Sequence, residues 1–244
     1  GARVLDVGTG GGASLYPAVR RVGPNGEVIG IEICEGCFKH TSGEIERCGI
    51  TNVKMLYMNA QNMDFDDESF DCVISGFIGW DDYFDFEKGN HIKPDKMIGE
   101  IYRVLKKGGR VGISGWNFPG ENLLMRELLF RHLHADSPYR KEVFSWSHVE
   151  TAEGWRTILE TAGFVDIQTL IEHYDCVYLS EEEWWNEVMD LDWKEVMDDL
   201  EQKGSVTVSA LKEEVFEMLQ NYKNSDGIHQ TRDAIMAFGI KPVS

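Results

Sequence analysis

The sequence predicts an α/β protein in which helices cover both faces of a mostly parallel β-sheet. Short apolar runs alternate with helical patterns through the first half of the 244-residue chain, which is typical of parallel strands joined by crossover helices. A glycine-rich turn follows the first apolar run directly, where folds of this kind bind ligands. The hydrophobic content of 42% suits one sizeable domain, and no segment is long and apolar enough to predict a membrane span.

The first half divides into five predicted strands and three predicted helices. The strands are expected at residues 4–7, 27–33, 53–58, 70–75 and 110–115. The helices are expected at 14–22, 35–48 and 96–105. Gly108 and Gly109 follow the third helix and are expected to stop it, because glycine is the usual residue just past a helix C-terminus.

The pattern changes after Trp116. Helices are expected at residues 123–134, 152–162 and 210–222, and strands at 165–171 and 233–240. Residues 181–202 are strongly acidic and contain Trp184, Trp185 and Trp193. The second half therefore adds both strands to the sheet and helical material outside it.

Charge and cysteine content exclude several classes of partner. The formal net charge of −18 argues against nucleic acid and against acidic membrane surfaces, since phosphate groups are bound by clustered Lys and Arg. The five cysteines are odd in number and do not resemble a disulfide framework, so a cytoplasmic location is expected. The pair in Cys34-Glu35-Gly36-Cys37 has no second pair at zinc-ligand spacing, and no metal site is predicted. Because a core strand begins within three residues of Gly1, further residues are expected upstream.

The glycine-rich turn lies in the sequence VLDVGTGGGASL, residues 4–15. A tight turn between a strand and a helix exposes backbone N–H groups at the positive end of the helix, which favours an anionic group there. The Walker phosphate loop is excluded, because no Gly-Lys-Ser/Thr follows. The dinucleotide pattern G-x-G-x-x-G fits only with Ala13 in its last place, whereas D-x-G-x-G-x-G fits directly on Asp6, Gly8, Gly10 and Gly12. Close helix–strand packing alone is the structural alternative.

Four segments in the same order resemble the class I S-adenosylmethionine-dependent methyltransferases. The first is the glycine loop, and the second is Glu32 at the end of the second strand. The third is NAQNMDFDDESFDCVIS, residues 59–75, and the fourth is EIYRVLKKGGRVGIS, residues 100–114. The resemblance implies a Rossmann-like, doubly wound, seven-stranded sheet whose last strand is antiparallel, with a helical cap. It covers residues 1–116 well and leaves much of the second half unspecified.

The resemblance also implies a role for each matching residue toward S-adenosyl-L-methionine. Glycines 8, 10 and 12, with Thr9 between them, would meet the methionine part of the cofactor, and Asp6 would face its ammonium group. Glu32 would hold the ribose and Ile33 would flank the adenine. The remaining expected contacts lie after the third and fourth strands, at the adenine edge and the floor of the site: Asn59, Ala60, Gln61, Ser75 and Gly76.

Three elaborated segments leave the carboxyl ends of the strands, where an acceptor is expected. They begin at Gly76, at Trp116 and after the predicted sixth strand, and they are rich in aromatic residues. They are interpreted as a cap over the methyl group, although each single aromatic is better explained as part of the core of the cap itself. The candidate general bases are His148, Asp81 and Asp82, and a mechanism by positioning alone is the alternative.

The sequence therefore predicts a single domain, 1–244, that methylates a small, partly apolar acceptor. Residues 1–116 form the cofactor-binding core, completed by 150–173 and 229–241, with helical insertions at 117–149 and 180–226. An NAD(P)-dependent oxidoreductase and a non-catalytic sensor or scaffold that binds the same cofactor are the alternatives. A monomer or homodimer is expected.

Overall fold

The computed structural model describes residues 1–78, 80, 84–85, 90–91, 95–117, 122–137, 139, 148–191, 193–204 and 206–243. Seven strands form one sheet. They are β1 (Arg3–Val7), β2 (Glu27–Glu32), β3 (Val53–Tyr57), β4 (Phe70–Gly76), β7 (Leu105–Asn117), β8 (Val165–Tyr178) and β9 (Ile228–Ile240). A separate two-stranded ribbon pairs β5 (Phe84–Asp85) with β6 (Asn90–His91). The strand order in the large sheet is β3-β2-β1-β4-β7-β9-β8. Strand β9 runs antiparallel to the other six strands, which are parallel to one another, so the predicted fold class is confirmed.

Eight α-helices are described. They are α1 (Leu15–Val22), α2 (Glu35–Arg47), α3 (Asp95–Val104), α4 (Asn122–His132), α5 (Ala152–Thr161), α6 (Glu181–Leu191), α7 (Lys194–Gln202) and α8 (Val208–Leu219). Short 3-10 turns lie at His148–Glu150 and Gln220–Tyr222. Among the described residues, no helix is long and apolar enough to cross a lipid bilayer.

The two faces of the sheet are buried by different helices, as a doubly wound fold requires. Successive residues of a strand point to opposite faces, so in β1 Leu5 packs on one side and Val4 on the other. The first side contacts α3 and α5, where Ile101 and Trp155 are fully buried. The second side contacts α1 and α2. Because the strands are parallel, their carboxyl ends lie at the same end of the sheet, and the helices on both faces hold them there.

The third predicted helix ends earlier than expected. Helix α3 stops at Val104, and β7 begins at once at Leu105. Gly108 has a φ of +75° and donates its N–H to the carbonyl of Lys241 at 2.8 Å, while the Lys241 N–H donates to the Gly109 carbonyl at 2.9 Å. The two glycines therefore shape an irregular entry into β7 rather than a helix cap, because pairing with the end of the last strand holds them.

Strands β8 and β9 are longer than the sequence predicts. Their pairing continues to Tyr178↔Ile228, whereas β7 pairs with β9 only as far as Asn117↔Asp233. The two strands thus project beyond the carboxyl end of β7 as an antiparallel pair, here called the β8–β9 extension. A predicted strand ending at residue 171 misses this extension, because cross-strand hydrogen bonds are decided by the partner strand.

The end of the β8–β9 extension packs against a separate cluster of helices. Helices α4, α6, α7 and α8, here called the helical cluster, bury their own apolar core together with Tyr178 and Ile228. Trp184, Trp185 and Trp193 lie in this core, and the indole N–H of Trp184 donates to Gln230. These tryptophans therefore stabilise the helical cluster itself, which is the structural alternative stated for them above.

Candidate functional site

A cavity of about 410 Å³ opens at the carboxyl ends of the first four strands, beside the point where the strand order reverses between β1 and β4. This is the position at which open α/β sheets bind ligands. The described lining residues are Val7, Gly8, Gly10, Ile31, Glu32, Ile33, Met58, Asn59, Ala60, Gln61, Phe77, Ile78, Trp80 and Met97. Seven of the twelve predicted cofactor contacts are in this lining: Gly8, Gly10, Glu32, Ile33, Asn59, Ala60 and Gln61.

The glycine loop is held in shape by bonds within the protein. Gly8, Gly10 and Gly12 all have positive φ values, between 51° and 87°, which L side chains rarely adopt. A Cβ on Gly8 would lie 2.3 Å from Ile78, whereas a Cβ on Gly10 would meet no atom within 4 Å. Gly10 therefore borders open space in the cavity.

The loop N–H groups differ from expectation. Those of Gly8 and Thr9 donate to the carbonyl of Ile31, and that of Gly12 donates to the carbonyl of Thr9. The Gly10 N–H donates to Glu32 Oε2 at 2.7 Å, and the Gly10 carbonyl accepts from Thr41 Oγ1 at 2.6 Å. Because these four N–H groups already have acceptors, the loop offers a ligand close backbone approach rather than a full anion cradle.

Glu32 ends β2 and organises the loop around it. Its Oε1 accepts the N–H groups of Ile33 and Cys34, each at 2.8 Å, in addition to the bond from Gly10 to Oε2. The side chain is buried although it lines the cavity. A carboxylate has about four acceptor positions, so roughly one remains on Oε2 for a ligand hydroxyl without displacing a backbone bond.

Asp6 lies at the carboxyl end of β1, directly behind the loop, and like Thr9 and Gly12 it is not among the described lining residues. Its Oδ1 accepts from the Ser14 hydroxyl at 2.7 Å, while Oδ2 is buried and has no hydrogen-bond partner among the residues that the structure describes. Burial raises the pKa of the Asp6 carboxyl from its usual 3.8 to about 6, against the opposing hydrogen bond from Ser14. A buried acceptor of this kind is costly unless a donor reaches it, which makes Asp6 a candidate for a cationic ligand group.

The predicted adenine segment follows β3 and lies on the cavity wall. Asn59 Oδ1 accepts the N–H of Gln61 at 2.9 Å, which closes a local turn and leaves the amide group of Asn59 for other contacts. Ser75 and Gly76 are not among the described lining residues. The Ser75 hydroxyl is buried and donates to the Val7 carbonyl at 3.0 Å, so it links β4 to β1 beneath the cavity.

Sequence reasoning missed the apolar half of the lining, namely Val7, Ile31, Met58, Phe77, Ile78, Trp80 and Met97. Phe77 and Ile78 directly follow β4, so the rule that ligands bind after strand ends could have found them. Met97 comes from α3, and nothing in its sequence context distinguishes it from a core residue. Trp80 stacks edge-to-face on buried Trp155 at 4.9 Å, which fixes its position on the wall.

The structure places the three candidate general bases only in part. His148 begins the 3-10 turn before α5, and only its backbone is described. Asp81 and Asp82 lie outside the described residues. Their proposed roles therefore stay predictions from the sequence.

The cysteine pair lies next to this cavity. Cys34 caps α2 and its Sγ accepts the N–H of Cys37 at 3.5 Å. Hydrogen bonds from Cys37 lower the pKa of the Cys34 thiol, and the same contact raises the pKa of the Cys37 thiol. Within the described part of the chain, no group of three or more His, Cys, Asp or Glu is placed to hold a metal ion.

Comparison of the fold with solved structures identifies its class. A methyltransferase-like protein from Bacillus halodurans covers 99% of this chain with a TM-score of 0.59, at 22% identity and over 93% of its own length. The YcgJ protein from Bacillus subtilis covers 99% with a TM-score of 0.58, at 19% identity and over 92% of its length. At these identities the likeness establishes the fold alone, the Rossmann-like fold with an antiparallel last strand.

Sequence comparison establishes the family. A family model described as "Methyltransferase domain" matches residues 1–163. Aklanonic acid methyltransferase DauC from Streptomyces sp. (strain C5) is 39% identical over 185 residues, which is 69% of this chain and 77% of that protein. Demethylmenaquinone methyltransferase from Geobacillus sp. (strain WCH70) is 28% identical over 182 residues, 69% of this chain and 73% of that protein.

The chain therefore belongs to the methyltransferase-domain family. It is a class I, S-adenosylmethionine-dependent methyltransferase, as its four sequence segments predict. This decides between methyl transfer and hydride transfer, which the glycine loop alone could not do.

Proposed function

We propose that the cavity binds S-adenosylmethionine through Asp6, the glycine loop, Glu32 and residues 59–61, and that its methyl group passes to a small, partly apolar acceptor. The observation that supports this most strongly is the position of two buried carboxylates at the ends of adjacent strands, on either side of the glycine loop. Asp6 Oδ2 lacks a described donor and suits an ammonium group, and Glu32 Oε2 suits a ribose hydroxyl. The residues present thus fit the cofactor.

The chain's own residues would then act by orientation and water exclusion. The sulfonium of the bound cofactor supplies an already activated methyl group. Phe77, Ile78 and Trp80 form an apolar wall that would keep water from the reacting atoms, and transfer needs the acceptor atom aligned at about 3–3.5 Å. We keep His148, Asp81 and Asp82 as candidate general bases for an acceptor that must lose a proton.

The acceptor class is inferred from composition and from relatives. Two relatives are named for methylating aklanonic acid and demethylmenaquinone, which supports a small-molecule acceptor here.

We further propose that residues 117–149 and 180–226 form a cap on the 1–116 core, with the helical cluster as its packed part. All five cysteines are free, which supports a reducing, cytoplasmic compartment, and a monomer or homodimer remains the expected assembly.

Calorimetric titration with S-adenosylmethionine, S-adenosylhomocysteine and NADH tests the cofactor assignment. We expect micromolar binding of the first two ligands and none of NADH. Glu32→Gln should weaken binding at least about tenfold, since an amide cannot accept the three backbone bonds and a ribose hydroxyl together. Glu27→Gln, at the opposite end of the same strand, is the matched control and should bind normally. Binding of NADH alone, or equal affinity in Glu32→Gln and the control, would contradict the assignment.

A further inference from the structure

A second cavity, of about 520 Å³, lies beside the first at the carboxyl end of β7. Its described lining residues are Phe77, Ser114, Trp116, Glu172, Tyr174, Asp175, Cys176, Arg232, Ala234 and Met236. Phe77 lines both cavities, so the two spaces meet at this ring. A volume of this size is within the range of small-molecule sites.

We propose that this second cavity binds the methyl acceptor and selects a neutral, flat aromatic molecule that bears a hydroxyl group. The inference rests on the cofactor assignment above, because it places the acceptor beside the cavity assigned to S-adenosylmethionine. It adds the chemical class of the acceptor and the residues that discriminate it.

The boundary between the cavities is an aromatic pair. The rings of Phe77 and Trp116 are 4.6 Å apart with a tilt of 54°, and the two residues are 49% and 52% exposed, so both rings are accessible to a ligand. Phe77 has a φ of +51°, unusual for a bulky residue, and its N–H donates to the Ser114 carbonyl at 2.9 Å. A strained residue held in this way at the meeting point of two cavities indicates a functional constraint. Exposed aromatic surfaces of this kind favour contact with a flat ring.

The polar side of the cavity is formed by the β8–β9 extension. Glu172 and Tyr174 point to the same face as Ala234 and Arg232, their partners in register, and the Tyr174 hydroxyl donates to the Glu172 carboxylate. Asp175 lies on the alternate face of the strand, where its carboxylate accepts from His229 at 2.8 Å. Asp175 also belongs to the described lining, but its carboxylate is engaged by His229, so Glu172 is the carboxylate that remains for a ligand on the face of Tyr174.

The single cation of the described lining is already compensated. Arg232 Nη1 pairs with Glu187 Oε1 at 2.7 Å, and its guanidinium lies 5.8 Å from the Trp116 ring. With Arg232 paired to Glu187 and Asp175 paired to His229, the carboxylate of Glu172 sets the local charge. This carboxylate repels an anionic acceptor and accepts a hydrogen bond from a hydroxyl. Neutral hydroxylated aromatics satisfy both conditions.

The β8–β9 extension is a rigid support for the side chains that select the acceptor. Its outer end is buried in the helical cluster through Tyr178 and Ile228, and Gln230 accepts from the Trp184 indole. Both strands are therefore anchored beyond the cavity as well as in the sheet. A site on paired strands holds its side chains more firmly than one on a loop.

Titration with 2-naphthol and 2-naphthoate, followed by tryptophan fluorescence with S-adenosylhomocysteine present, tests the proposal. We expect the neutral probe to bind the unmodified protein at least about tenfold more tightly than the anion. Glu172→Gln should reduce this preference to about threefold or less, because the repelling charge is removed. Trp116→Ala should weaken 2-naphthol binding about five- to tenfold, and calorimetry replaces fluorescence for that variant.

Two control variants separate these effects from general perturbation. Glu46→Gln removes the same charge from an exposed site on α2, and Leu170→Ala shortens an exposed side chain of β8 outside the described lining. Both should retain the preference of the unmodified protein. Absence of saturable 2-naphthol binding, or an unchanged preference in Glu172→Gln, would overturn the proposal. Binding of S-adenosylhomocysteine to the unmodified protein, measured separately, reports on the cofactor assignment. If S-adenosylhomocysteine does not bind, the cofactor assignment is rejected. If it binds and 2-naphthol does not, only this inference is rejected.

Discussion

At the scale of single residues, Asp6 combines a cost to folding with a proposed role in binding the cofactor. Its carboxyl is fully buried, and one oxygen has no donor among the described residues. Burial holds the pKa at about 6, compared with its usual 3.8. Since the folded protein binds this proton more tightly than the unfolded chain, deprotonation of Asp6 destabilises the fold as pH rises through this interval.

Replacing Asp6 with Asn should remove this pH dependence. Ionisation of Asp6 costs the folded state about 3 kcal/mol in total, with about half of that falling between pH 5 and pH 7.5. We expect the free energy of unfolding of Asp6→Asn, relative to that of the unmodified protein, to increase by about 1–2 kcal/mol over this interval. Urea unfolding at the two pH values measures it.

The same substitution should weaken binding of the cofactor. An amide cannot attract an ammonium group as a carboxylate does, so S-adenosylmethionine affinity should fall at least about tenfold at pH 7.5. In the unmodified protein the affinity should fall as pH drops below about 6, where Asp6 becomes neutral. Parallel pH profiles of affinity or of stability in the two proteins would contradict this role of Asp6.

At the scale of elements, the approach of the glycine loop to β2 depends on a residue outside the loop. Gly30 lies in β2, and a Cβ there would stand 2.5 Å from Thr9 Oγ1 and 2.6 Å from Met55 Sδ. Thr9 is buried, so its displacement would move the loop. The glycine of a central strand thus allows the loop to pack closely over the sheet.

Gly30→Ala and Gly43→Ala form a matched pair that tests this contact. Gly30→Ala should lower the free energy of unfolding by about 1–3 kcal/mol, because the added methyl overpacks a filled space. Gly43 lies within α2 with nothing near its potential Cβ, so Gly43→Ala should raise stability by about 0.5–1 kcal/mol. Urea denaturation at pH 7.5 measures both. If both substitutions changed the free energy of unfolding in the same direction, the contact with Thr9 would not explain why glycine is required at position 30.

At the scale of the whole molecule, the dominant electrostatic feature is the net charge of −18. Like charges repel in a compact state, and salt shortens the range of this repulsion from about 10 Å at 0.1 M to about 3 Å at 1 M. Many ion pairs of the described surface are exposed and contribute little, so screening of the overall repulsion should dominate.

Sodium chloride should therefore stabilise the protein. We expect the unfolding temperature at pH 8 to rise by a few degrees between 0.1 M and 1 M salt. The increase should be smaller at pH 5, where part of the carboxylates are protonated and the net charge is lower. Differential scanning calorimetry at the two pH values measures both. A decrease at pH 8 would show that local ion pairs outweigh the net repulsion.

Much of the fold and half of the described lining of the first cavity could be predicted from the sequence. The strands β1 to β4 and the loop between β1 and α1 are encoded locally, by apolar runs, turn residues and glycines at required φ values. The position of Glu32 follows from the length of one β–α–β unit. Such features depend on neighbours within about twenty residues, which a sequence shows directly.

Only the tertiary structure decided the rest, because it depends on residues far apart in the chain. Cross-strand pairing set the extent of β8 and β9, and it turned Gly108 into part of a strand entry. Packing between α3 and the sheet brought Met97 to the first cavity, and the β8–β9 extension brought Glu172 and Tyr174 beside Trp116 in the second. The sequence by itself thus determined the family, the cofactor and the glycine loop. The cavity proposed for the acceptor was decided by long-range pairing and packing, whose energies depend on the partner surface rather than on local sequence.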